Sequence, residues 1–296
     1  MTLSNIELGP LAGLVTDRTR DICTDGAGRV WVDSGDGFEL SGLTLTPHDA
    51  RFIGVGLVES GGGRVDDSKP IGDASLAGRV RVHVALPPVA RDAPLISLRL
   101  PRPTRVRLDD FEFADDATRI ACLTGSLLIA GVTGSGKTTL LSAILDSTTD
   151  ADRVVVIEDV SEISTEHRNT AYLSTRVANP DGGGLIDLTQ LVRESLRMRP
   201  DVLVIGEIRG AEFRDYVLAL TSGHRGIATV HAGSLAEVGA RLTALALVAG
   251  LPFDAVAGLV QSAVSTVAVC ERVGAGVTVT VGKLVIDNGT LLATAV

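Results

Sequence analysis

The sequence predicts an α/β protein with a smaller N-terminal α/β domain, residues 1–103, followed by a larger domain with a mostly parallel sheet, residues 104–296. Three observations carry this reading. Short strands punctuated by Asp-Gly turns fill the first hundred residues. Fully apolar runs then alternate with helical stretches, as in a parallel sheet covered on both faces. Between a strand and a helix near the middle stands a Gly-rich loop closed by Gly136-Lys137-Thr138-Thr139.

The elements follow in order. Residues 28–32 lie between Asp25-Gly26 and Asp36-Gly37, a hairpin signal. Residues 46–59 start at Thr-Pro and carry helical apolar spacing, and Gly61-Gly62-Gly63 ends the helix. Residues 79–86 alternate polar and apolar, so they form a half-buried strand, and residues 95–100 form another. Pro101-Arg102-Pro103 reads as an extended linker. Past it, residues 127–130, 154–157 and 202–205 read as buried strands. Residues 138–145, 188–197 and 211–221 read as helices. Residues 182–184 read as a Gly loop, and residues 255–270 as one buried helix. The tail, residues 277–281, 283–286 and 291–295, reads as a β-meander turning at Asp287-Asn288-Gly289.

Composition excludes several classes. With 45% hydrophobic and 21% charged residues the chain can bury a core, which rules out disorder. A net charge of −9 argues against a dedicated nucleic-acid binder, so no direct nucleic-acid partner is expected. Three cysteines far apart fit no disulfide framework and suggest a reducing, cytoplasmic setting. Met1 opens no basic n-region, so a signal peptide is not expected, and no stretch reaches the ~20 apolar residues of a membrane span.

The chemistry concentrates at the sheet edge. Gly131-Val132-Thr133-Gly134-Ser135-Gly136-Lys137-Thr138 matches a phosphate-binding loop in its required strand–helix context. Its backbone N–H groups converge on phosphate oxygens. Lys137 supplies charge for the β- and γ-phosphates, and Thr138 is placed to ligate Mg²⁺. Lys is rare here, at three in 296 residues, so its position in this loop is a strong signal. Two buried strands deliver acids at the same edge: Glu158-Asp159, with Glu162 close behind, and Glu207. One carboxylate can hold the Mg²⁺ water shell and another can orient the attacking water. His231 ends the apolar run 227–230 and can reach the same edge, where it could sense a γ-phosphate; a simple surface or core histidine is the other reading.

Taken together, these motifs resemble the ATPases of type II and type IV secretion and type IV pilus systems, with the Tad (Flp) pilus branch of actinobacteria the nearest likeness. The matching stretches are GVTGSGKTT, VVVIEDVSEI (residues 154–163), LRMRPDVLVIGEIRG (196–210) and TSGHRGIATVHAGS (221–234), with GRVWVDSGDGFE (28–39) and RVRVHVALPP (79–88) in the N-terminal part. The resemblance implies a RecA-like ATPase domain behind a PAS-like domain, with ATP and Mg²⁺ as cofactors. It implies that Glu158 polarises water, that Glu207 is the acid near Mg²⁺ through water, that His231 contacts the γ-phosphate and that His224 helps organise the site. Arg197, Arg199 and Arg209 match arginines near the nucleotide or a subunit interface, and structural salt bridges are the equal alternative. Arg99 matches, more loosely, an arginine that reaches a neighbour's nucleotide, or it caps a sheet edge or pairs with an acid such as Asp109. The family further implies a homohexamer on the inner face of the cell membrane, docked to a platform protein. The implied work is pilus assembly or protein export. The alternatives are conjugative transfer or DNA uptake, and a nucleotide-gated scaffold with little turnover.

Overall fold

The computed structural model describes residues 8–76, 80–100, 106–176, 183–274 and 276–296. The expected linker at Pro101–Pro103 and the first residue of the expected Gly loop, Gly182, lie outside these residues. The chain divides into two compact units, Met1–Arg105 and Val106–Val296.

The first unit holds β1 (Asp21–Thr24), β2 (Arg29–Asp33), β3 (Phe38–Thr44), α1 (Pro47–Ser60), β4 (Ile71–Ser75), β5 (Arg81–Ala85) and β6 (Leu95–Arg99). The strands form one antiparallel sheet in the order β3-β2-β1-β6-β5-β4. The Thr46 hydroxyl caps α1 by accepting the Asp49 N–H at 3.1 Å, and Pro47 takes the first-turn place where no N–H is needed. Helix α1 buries Ala50, Leu57 and Val58 against Val82, Val84, Ile96 and Leu98.

The second unit starts with β7 (Glu112–Phe113), α2 (Asp116–Ala121), β8 (Leu127–Ala130) and α3 (Lys137–Asp146). Next come β9 (Val154–Glu158), β10 (Thr170–Ser174), α4 (Leu188–Ser195), β11 (Val202–Ile205), α5 (Glu212–Thr221) and β12 (Arg225–Val230). It closes with α6 (Leu235–Val248), α7 (Phe253–Ala263), β13 (Thr266–Val273), β14 (Gly276–Asp287) and β15 (Thr290–Ala295). The sheet order is β10-β9-β11-β12-β8-β13-β14-β15, with β7 beside β14. The six strands from β10 to β13 run parallel, and β14 and β15 return antiparallel. Helices α4 to α7 supply the core on one face, and α3 with Cys122 and Phe111 the core on the other. Every residue of β8, β9 and β11 is buried, as a sheet covered on both faces demands.

Two expectations are corrected here. The single buried helix over 255–270 is instead α7 to Ala263 and then β13 from Thr266. A continuous apolar run does not distinguish a buried helix from a buried strand. Here the open place beside β8 is filled by Thr266-Val267-Ala268-Val269, each paired in parallel with β8. The two tail strands 277–281 and 283–286 are one strand, β14, running through Gly282. Gly282 marks a close approach: a Cβ there would stand 2.5 Å from the Thr294 carbonyl oxygen.

A second close approach joins α6 to the sheet. A Cβ on Gly239 would stand 2.0 Å from the Leu291 carbonyl oxygen, so backbone must move to admit a methyl group. Gly239→Ala is expected to destabilise the protein by about 1–3 kcal/mol despite alanine's better helix propensity. A thermal melt reads this, and an unchanged or higher midpoint would show that the contact yields freely.

Candidate functional site

The site is built on the carboxyl-terminal edge of the parallel strands. Strand β8 is buried to Ala130, and α3 begins at Lys137, so residues 131–136 form a turn between two fixed ends. Gly136 holds φ at +102°, a backbone region that side-chain-bearing residues avoid, at the point where the loop turns into α3. The Ser135 N–H meets the Val132 carbonyl at 3.2 Å. Lys137 folds back over the loop, and its ammonium donates to the carbonyls of Gly131 (2.8 Å) and Val132 (2.9 Å). Burial lowers its pKa from the ordinary lysine value, while the nearby Glu207 and Glu162 carboxylates favour the charged form.

Carboxylates from two strands face this lysine. Glu207 follows β11 and pairs with Arg209 at 2.5 Å, and the Arg209 guanidinium is 4.0 Å from Asp159. That hydrogen bond from Arg209 to Glu207 raises the guanidinium pKa. Glu158 ends β9, is 4% exposed, and accepts the N–H groups of Glu162 (2.8 Å) and Ile163 (2.7 Å). It thereby fixes the turn that carries Glu162, whose Oε2 accepts the Thr138 hydroxyl at 3.3 Å. Glu212 at the start of α5 accepts the N–H groups of Arg209 (2.6 Å) and Gly210 (2.8 Å), which holds the segment behind Glu207. On the other side of the loop, Val132–Ser135, Cys270–Arg272, Gly233 and Ser234 line an open cleft of about 580 Å³, the size of a small-molecule site.

Of the expected site residues, the fold gathers Gly131–Thr139, Glu158, Glu207 and Arg209 at this edge. His231 immediately follows β12 at the same edge and is exposed. Three expected residues are not brought there. His224 precedes β12, and its ring faces the Pro200 carbonyl at 3.4 Å. Arg197 and Arg199 precede β11, and Arg197 pairs with Glu194 at 2.6 Å. Because these strands run parallel, residues before a strand lie at the opposite edge, roughly 20 Å away for a six-residue strand such as β12. Organising the phosphate site of this chain is therefore outside the reach of His224, Arg197 and Arg199. Arg99 ends β6 in the first unit and donates to Asp21 at 2.9 Å; Asp109 pairs with Arg119 instead.

Sequence reasoning passed over Glu212 and Arg272 and gave Glu162 no role. Glu162 was legible as the third acid of its segment. Arg272 was not, because it gains its place from β13, which the apolar run concealed.

A Gly-rich turn that closes on a helix N-terminus, with a lysine folded over it and strand-end acids opposite, defines a P-loop nucleotide-binding fold. The chain belongs to the family of Type II/IV secretion system proteins, whose description matches residues 64–289. A Mycobacterium tuberculosis protein named for conjugal transfer is 38% identical over 279 residues, covering 89% of this chain and 79% of that protein. Type IV secretion system protein PtlH of Bordetella pertussis is 30% identical over 302 residues, covering 85% of each. In fold, the chain is similar to the pilus retraction motor PilT with bound ADP, with a TM-score of 0.67, 20% identity and 93% and 79% of the two chains covered. It is likewise similar to the Legionella pneumophila ATPase DotB, with a TM-score of 0.66, 20% identity and 92% and 78% covered.

Proposed function

We propose that this protein is a Mg²⁺-dependent ATPase that drives a type II/IV secretion or pilus-assembly machine. The observation that carries the reading is the meeting of Lys137, Thr138, Glu162 and Glu207 at one sheet edge. The loop N–H groups and the start of α3 bind the phosphates, and Lys137 turns from the loop carbonyls to the β- and γ-phosphates. Thr138, Glu162 and Glu207 form an all-oxygen donor set of the kind Mg²⁺ takes, and they would hold the ion directly or through water. When bound, the ion neutralises charge that develops on the transferred phosphoryl group. Glu158 orients the attacking water, and His231, exposed at the end of β12, reads the γ-phosphate. Arg209 sets the position of Glu207. Phosphate release from Mg·ATP by the purified protein tests this reading, and binding without turnover would favour the scaffold alternative.

The motif set supports pilus assembly of the Tad type by a homohexamer, peripheral to the inner face of the membrane and docked to a platform protein. No helix among the described residues is long and apolar enough to cross a membrane. Conjugative transfer is the second reading, favoured by the 38% identical relative named for it. Loss of surface pili on deletion supports the first, and loss of DNA transfer supports the second.

Arg99 is proposed to serve a neighbouring subunit's nucleotide. Mixed rings of Arg99→Ala and Lys137→Ala subunits should then regain turnover that neither variant has alone. Wild-type turnover by Arg99→Ala rings would instead leave Arg99 a structural residue of the first unit, paired with Asp21.

A further inference from the structure

Strand β13 outruns the strand it pairs with. Its last partner on β8 is Ala130, opposite Val269, yet β13 continues to Val273. The extra residues therefore run alongside the phosphate loop; two contacts join them to it, and a third joins the loop to β14. The Arg272 Nε donates to the Gly134 carbonyl at 3.0 Å. A Cβ on Gly131 would stand 2.8 Å from the Cys270 carbonyl oxygen, and one on Gly136 would stand 3.0 Å from a Val277 methyl. Past Val277, β14 pairs with β7 at Thr278 and Val279, and the Thr278 hydroxyl donates to Glu112 at 3.0 Å. Strand β7 begins six residues after Val106, where the second unit starts.

The bond to Gly134 governs a specific donor. A trans peptide points its C=O and N–H in opposite directions. Holding the Gly134 carbonyl toward β13 turns the Ser135 N–H inward, where it meets the Val132 carbonyl at 3.2 Å. Among the described residues the Ser135 side chain finds no anchor, since its hydroxyl is buried without a hydrogen-bond partner there. Among the described residues, two side chains donate to carbonyls of this loop, Lys137 and Arg272. The carbonyls compete with phosphate for Lys137, whereas Arg272 approaches from the neighbouring strand.

We infer that Arg272 is a positioning residue that presets the phosphate loop through the Gly134–Ser135 peptide and links loop occupancy to β14 and β7. The inference rests on the reading of this loop as a phosphate site. A ligand that fills the loop fixes the peptide that Arg272 holds, and the hairpin passes the ordering to β7.

The test compares Mg·ATP with Mg·tripolyphosphate, which has the phosphates without base or ribose, on the full chain. Arg272→Ala should weaken both by a similar factor, about tenfold for one lost hydrogen bond of this kind. Arg272→Lys, which keeps a donor, should weaken both less, and it carries the comparison if the alanine variant fails to fold. Tripolyphosphate should slow amide exchange in β7 of the wild-type protein, and this protection should shrink in the variants. A loss seen with ATP alone would make Arg272 a nucleoside contact and overturn the inference, as would unchanged affinity for both or unchanged β7 protection. If the wild-type protein binds neither ligand, the phosphate-site reading itself fails.

Discussion

Lys137→Ala is expected to lower nucleotide affinity by about 100-fold or more, the loss of at least one charge-assisted hydrogen bond pair to phosphate. The structure places the Lys137 ammonium over the loop, on the carbonyls of Gly131 and Val132, so the side chain needs only local rotation to meet a phosphate. It is also an intrinsic part of the loop's electrostatics. Removing it leaves the carboxylates of Glu207 and Glu162 facing an incoming anion without a cation at the loop's centre. Titration with a fluorescent ATP analogue measures the effect, and a thermal melt without nucleotide checks the fold. The rest of α3 is buried through Leu140, Leu141 and Ile144, so the melt should shift little. Affinity within threefold of wild type would remove the loop from the mechanism.

Glu207→Gln is expected to separate binding from turnover. The glutamine keeps the shape and can still accept from Arg209, but it removes the negative charge beside Lys137. Nucleotide affinity should hold or rise, because one repulsion of the phosphates is gone. Turnover should fall by about 10²–10³-fold, the size seen when a group that stabilises or orients the reacting centre is lost. Arg209→Gln is the control: it frees Glu207 without removing its charge, so a loss of similar size there would mean that the ion pair, rather than the carboxylate, matters. Single-turnover kinetics with bound Mg·ATP reads the chemical step directly. A wild-type rate for Glu207→Gln would move the role to Glu158 or Glu162.

Much of this site was legible in the amino-acid sequence. The loop at 131–138 was, because its chemistry and its backbone geometry are written in the same eight consecutive residues. The strands 127–130, 154–157 and 202–205 were, because burial on both faces demands unbroken apolar runs. Glu158 and Glu207 followed from them as strand-end acids. Tertiary structure alone decided the rest. Parallel strand direction carried His224, Arg197 and Arg199 to the edge away from the loop, although they stand in the same motifs as His231 and Glu207. Pairing with β8 made Thr266–Val273 a strand and so brought Arg272 against Gly134. The physical reason is common to both cases. A sequence pattern records which residues are buried, whereas strand direction and neighbouring partners are set only when the whole sheet assembles.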